Sequence, residues 1–119
     1  MTKTDALGDV EIIVQADDSP DASWLEQEGW EDRLAQYQAG EFGFIGVQAT
    51  AELKIPCGHD SWIVQHITSP GLWGIEDDSG EDYIREVAAE EVETLRDMLA
   101  SLGVTLEQPD VDKLDIRYS

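Results

Sequence analysis

Between Phe42 and Ile55 the chain alternates without a break. Ile45, Val47, Ala49, Ala51, Leu53 and Ile55 fall on one parity, and Gly46, Gln48, Thr50, Glu52 and Lys54 on the other. Successive side chains of a strand point to opposite faces, so this pattern predicts a strand with one face buried and one wet. A strand that is apolar on one side only suits an antiparallel sheet covered on one face. Pro56-Cys57-Gly58-His59-Asp60 has the composition of a hairpin connection, and Trp62 to Thr68 (WIVQHIT) reads as the returning partner. In that partner Trp62, Val64 and His66 share one parity and Ile63, Gln65 and Ile67 the other. With apolar residues on both sides, it is expected to be covered on both faces.

The remaining elements fall around this hairpin. Val10 to Gln15 is a short β-rich run, ended by the turn-rich ADDSPDAS cluster. A first helix is expected next, with Ser23 or Asp21 as its cap. Its apolar positions Trp24, Trp30, Leu34 and Tyr37 are imperfectly spaced, with Gly29 dividing it in two and Gly40 ending it. The best helix spans about Gly80 to Leu102, where Ile84, Val87, Ala88, Val92, Leu95, Met98, Leu99 and Leu102 form an apolar stripe. Ser79 is its expected N-cap, with Asp82 three residues on in a capping-box-like arrangement, and Gly103 its stop. Glu81, Asp82 and Glu86 place negative charge in the first turns, where the helix dipole favours it. A short strand is expected near Leu114 to Tyr118. Four Trp are available as anchors, and at least three are expected in the core. The order predicts a single α+β domain over residues 1–119, with a mostly antiparallel sheet of three to four strands and two helices packed on one face. A chain of this length buries a core without a metal or a disulfide.

Charge narrows the function. The chain holds 27 Asp plus Glu against seven Lys plus Arg, for a net charge of −20. Residues 1–39 and 76–97 each carry −8, whereas residues 40–75 and 98–119 carry −2 each. Such a field repels nucleic acid and anionic membranes and attracts basic protein surfaces. Direct nucleic-acid binding through a basic patch is thereby excluded as an expectation. The single Cys57 rules out an intramolecular disulfide framework and suits a reducing cytosol. MTKTDALGDVEIIVQ lacks a basic leader followed by a long apolar stretch, and no window approaches a membrane span, so a cytoplasmic location is expected.

Candidate chemistry is thin. Cys57, His59, Asp60 and His66 lie close in sequence, but C-x-H-x6-H matches no four-ligand zinc pattern, and turn neighbours do not position a base for a thiol. In Glu76-Asp77-Asp78-Ser79-Gly80-Glu81-Asp82 a calcium loop counted from Asp77 would need glycine at its sixth position, and Gly80 falls at the fourth. Carboxylate pairs carry almost no information in so acidic a chain. There is no phosphate-cradling glycine loop and no nucleophile elbow. No enzyme, cofactor or metal site is expected.

The placement of the acids is more informative than their number. On the main helix Glu86, Glu90, Glu93 and Asp97 recur at steps of four, three and four, on a stripe opposite the apolar face. The stripe extends about 16 Å, with a carboxylate about every 5–6 Å. That is the scale on which phosphates recur along a nucleic-acid strand, so the row suits the basic groove of a nucleic-acid-binding protein. Glu76, Asp77 and Asp78 form a second patch. The plainer reading is a solvated face or adaptation to high salt, with lysine restricted to Lys3, Lys54 and Lys113. The second alternative is an adaptor or structural protein whose acidity serves only solubility and which works through Leu72-Trp73-Gly74-Ile75, and the third is a small hydrolase using Cys57 and His66.

The run SPGLWGIEDDSGEDYI from Ser69 to Ile84, with the Glu-rich helix that follows it, resembles a group of small acidic proteins of phages, prophages and other mobile elements. WEDRLAQYQAGEFGFIGV, from Trp30 to Val47, is similar to the same group. The resemblance transfers no functional residue. It implies a setting in which small acidic proteins act in the host cytoplasm against host defence, including anti-CRISPR and anti-restriction proteins that mimic DNA. The expected partner is thus the basic surface of a nucleic-acid-binding defence protein, preferably a CRISPR complex.

Overall fold

The structure is a computed structural model describing residues 7–20, 22–58 and 60–119. Its strands are β1 (Leu7–Ala16), β2 (Phe44–Pro56), β3 (Trp62–Thr68), β4 (Leu72–Glu76) and β5 (Ile116–Tyr118). Its helices are α1 (Glu31–Gln38) and α2 (Glu81–Ser101). Asp21 and His59, raised above as a cap and as a member of the Cys/His group, lie outside the described residues.

The alternating segment forms β2, the centre of an open five-stranded sheet. One edge of β2 pairs antiparallel with β1, and β1 in turn pairs with β5. The other edge is shared: β3 pairs with residues 50–56 and β4 with residues 44–47. The sheet is mixed, because β5 runs parallel to β1. It is still mostly antiparallel, as expected, but it has five strands where three to four were expected, and the β1–β5 pair is parallel. A parallel pair needs a long crossover, and a three-residue strand carries no alternation to announce either its edge or its direction.

The odd-numbered face of β2 is the core face. Val47, Ala49, Ala51 and Leu53 pack with Ile12 and Val14 of β1 against Ile84, Val87, Ala88, Val92, Leu95 and Leu99 of α2. At roughly 1.5–3 kcal/mol for each large side chain fully buried, this layer is the main source of stability. α2 ends as expected: Gly103, at φ 80°, turns the chain so that its N–H reaches Ala100 O and the Val104 N–H reaches Leu99 O. Its start differs. The Ser79 hydroxyl donates to Glu76 O (2.7 Å) and closes the preceding turn, so Gly80 becomes the N-cap and no capping box forms.

The first helical region is split around Gly29 into a 3-10 turn, Ser23–Glu26, and α1. Leu25, Trp24, Leu34 and Tyr37 gather on Phe42 and Phe44 in a second, smaller core. Phe44 and Ile45 are neighbours in β2, and Ile45 packs with the α2 core, so α1 lies on the opposite side of the sheet. The two helices therefore do not share one face.

β3 is not covered on both faces. Trp62, Ile63 and Val64 are 43–52% exposed, and Ile55 opposite them is exposed too. The ends of β2 and β3 form a bare two-stranded arm on a molecule measuring 61 × 25 × 22 Å. Trp30 and Trp73 are also exposed, so three of the four Trp lie outside the core.

Candidate acidic interface

The acidic row depends on how α2 is seated. Six buried residues hold one side of its 21-residue length against the sheet, which turns Glu86, Glu90, Glu93 and Asp97 to solvent. All four are exposed, on a helix about 30 Å long that is fixed along its inner face. Glu93 is the only one of them with an ion-pair partner among the described residues, Arg96 at 2.9 Å. Arg96 in turn bonds Leu106 O (2.9 Å) and Gln108 (2.9 Å), which fastens the chain beyond α2 to the helix. Arg85 does the same further along, donating to Val111 O and Leu114 O.

The second predicted patch is built differently. Arg33 of α1 pairs with both Glu76 and Asp78, the latter at 2.6 Å, while its guanidinium lies 3.6 Å from the centre of the Phe42 ring. The hydrogen bond from Arg33 holds the Asp78 carboxyl below the usual carboxylate range, and the two carboxylates raise the guanidinium further above its own. Asp77 accepts the Gly43 N–H at 3.0 Å. Glu76, Asp77 and Asp78 thus tie the β4–α2 turn to α1 and β2, whereas in the α2 row only Glu93 has such a tie, through Arg96. Arginines spent on carbonyls and on these few acids leave most carboxylates without a counter-charge. Among the described residues no Asp or Glu is buried.

Trp73, named from sequence as part of the possible adaptor segment Leu72 to Ile75, lies at the surface. Gly74, at φ 75°, makes Trp73 and Gly74 together oppose the single residue Gly46, a bulge that interrupts the β4 ladder. The indole lies on Gly46, where a Cβ would come within 2.1 Å of the ring, and its Nε1 donates to Pro70 O (2.9 Å). Trp73, Ile75, Glu76, Ser79 and Tyr83 then line an open groove of about 450 Å³ leading from the 76–78 turn to the first turn of α2.

The nucleophile and metal possibilities gain nothing. Cys57 sits at the arm's tip and His66 pairs with Glu52, five residues away along the strand, a separation of roughly 16 Å. Among the described residues no cluster of His, Cys, Asp and Glu could hold a metal ion, and no helix is long and apolar enough to cross a membrane. The chain matches no protein-family model, no curated protein and no solved structure.

Proposed function

We propose that this chain is a non-enzymatic inhibitor of host defence, encoded by a phage or mobile element and acting in the host cytoplasm. It occupies the basic surface of a nucleic-acid-binding protein, for which a CRISPR complex is the preferred target, by presenting a row of carboxylates in place of phosphates. The observation that carries this reading is the exposed row Glu86, Glu90, Glu93 and Asp97, of which only Glu93 has an ion-pair partner among the described residues, on a helix held from behind by the sheet. A row fixed before binding loses little conformational freedom on docking. A field of −20 speeds encounter with a cationic groove.

The distribution of acids supports mimicry over a general solubilising or salt-adapted coat. A uniform coat would place carboxylates wherever side chains meet water. The arm meets water on both faces, yet β3 (WIVQHIT) contains no acid at all. Its apolar surface was left uncharged while the helix face was loaded.

The test is the fourfold substitution Glu86→Lys, Glu90→Lys, Glu93→Lys and Asp97→Lys, with circular dichroism to establish that the fold persists. Loss of protection of an invading phage from host CRISPR immunity is the expected result. Protection retained at the wild-type level overturns the proposal. The alternative adaptor reading is favoured by the exposure of Leu72 and Trp73 beside the groove. On that reading, partner binding survives high salt and is lost in Trp73→Ala.

A further inference from the structure

β3 is an edge strand. It pairs with β2 on one side only, and its sequence WIVQHIT contains neither proline nor lysine nor acid, the residues that ordinarily blunt such an edge. The ladder shows which backbone groups are unpaired. Cys57 N–H bonds Ser61 O and Ser69 N–H bonds Ala49 O, so the odd-numbered residues between them turn their N–H and C=O toward β2. Trp62, Val64, His66 and Thr68 turn theirs outward.

We propose that two copies of the chain pair through β3 as an antiparallel, two-fold dimer centred on Gln65. Under that axis residue 64 meets 66 of the second copy, and residue 62 meets 68. Four such pairs exchange two bonds each, about eight bonds in all, which at one per roughly 100–200 Å² corresponds to an interface of about 800–1,600 Å². That reaches the size of stable interfaces.

The side chains agree with this register. On one face Ile63 meets Ile67 of the second copy, which packs at the margin of that copy's core, so the apolar layer continues across the axis. On the other face Trp62 meets Thr68, and Val64 meets His66. No row sets acid directly against acid across the axis. The register lays the tip of each arm beside the body of the other copy, so the two bodies lie at opposite ends of the joined strands, which keeps two charges of −20 apart. The contact is isologous and consumes the β3 edge of both copies, so the assembly closes at two copies.

Sedimentation of the whole chain over a range of concentrations tests this. The expected species has about twice the 13.2 kDa mass of one chain, and its population holds or rises with salt because salt screens the repulsion between bodies. Val64→Pro removes an outward N–H and none that bonds β2, and Ile63→Lys places a charge opposite Ile67. Each should raise the dissociation constant at least about tenfold with the circular dichroism spectrum retained. In a Cys57→Ser background, Gln65→Cys should give a covalent dimer under a mild oxidant, since directly opposed residues of this type lie about 4.5 Å apart at Cα, within disulfide range. A 13.2 kDa species at all concentrations overturns the proposal. So does a dimer indifferent to both edge variants, or one that Gln65→Cys does not bridge.

Discussion

Replacing Ser69 by alanine removes one oxygen and is expected to cost far more than one hydrogen bond. Ser69 is 1% exposed and sits where the edge of β2 passes from β3 to β4. Its hydroxyl accepts the Ala49 N–H (2.9 Å), a bond that the ladder would otherwise supply, and donates to Glu91 of α2 (2.7 Å). The same Glu91 oxygen accepts the Gly71 N–H at 2.8 Å. In Ser69→Ala the Ala49 amide, on a fully buried residue, has no partner, a loss of roughly 1–3 kcal/mol, and the charge-assisted bond to Glu91 forfeits roughly 1.5–3 kcal/mol more. Glu91 is only half-buried and water recovers part of its share, so about 2–4 kcal/mol is expected. At about 4 °C per kcal/mol for a chain of this size, the melting temperature falls by about 8–16 °C. Urea unfolding followed by circular dichroism measures this, with an unchanged slope showing that the same surface is exposed. A double-mutant cycle with Glu91→Gln should return a coupling of about 0.5–3 kcal/mol. A loss below about 0.5 kcal/mol would refute the claim that this triad joins α2 to the sheet.

Other expectations follow from the same contacts. Gly46→Ala places a methyl inside the Trp73 ring; the indole must leave the sheet, with a destabilisation of about 1–3 kcal/mol and a red shift in tryptophan fluorescence. Asp78 has its folded pKa lowered below 3.8 by Arg33, so its contribution to stability is present above that value and fades as pH falls through the folded pKa. The difference in unfolding free energy between wild type and Asp78→Asn should therefore be constant above about pH 4 and shrink below it. A difference that widens on acidification would contradict the pairing.

Strong periodicity made much of this fold legible. The alternation at 45–55 located β2 and its core face, the stripe from Ile84 to Leu99 located α2, and glycine marked the end of α2 and the break before α1. The elements that escaped carry no period. β4 is five residues long and is broken by the Gly74 bulge, so Trp73 and Ile75 point to opposite sides despite their equal parity. Ser79 resembles an N-cap in sequence, but its hydroxyl is engaged by Glu76 O, which lies close only after the turn has formed. The acids behaved likewise. The outward course of Glu86 to Asp97 follows from helical spacing alone, whereas the commitment of Glu76 and Asp78 depends on Arg33, 43 and 45 residues away. Apolar residues on both parities of β3 suggested cover on both faces, and the structure instead leaves an edge bare.

The α2 row is proposed to substitute for nucleic acid. This is tested most directly by competition: a labelled DNA duplex bound to purified CRISPR surveillance complexes, titrated with the chain at several salt concentrations. The chain should displace the duplex, the concentration required should rise steeply with salt, and the fourfold lysine variant at Glu86, Glu90, Glu93 and Asp97 should displace none. A wild-type chain that leaves the duplex bound at low salt, or a lysine variant that competes as well as wild type, would contradict the proposal.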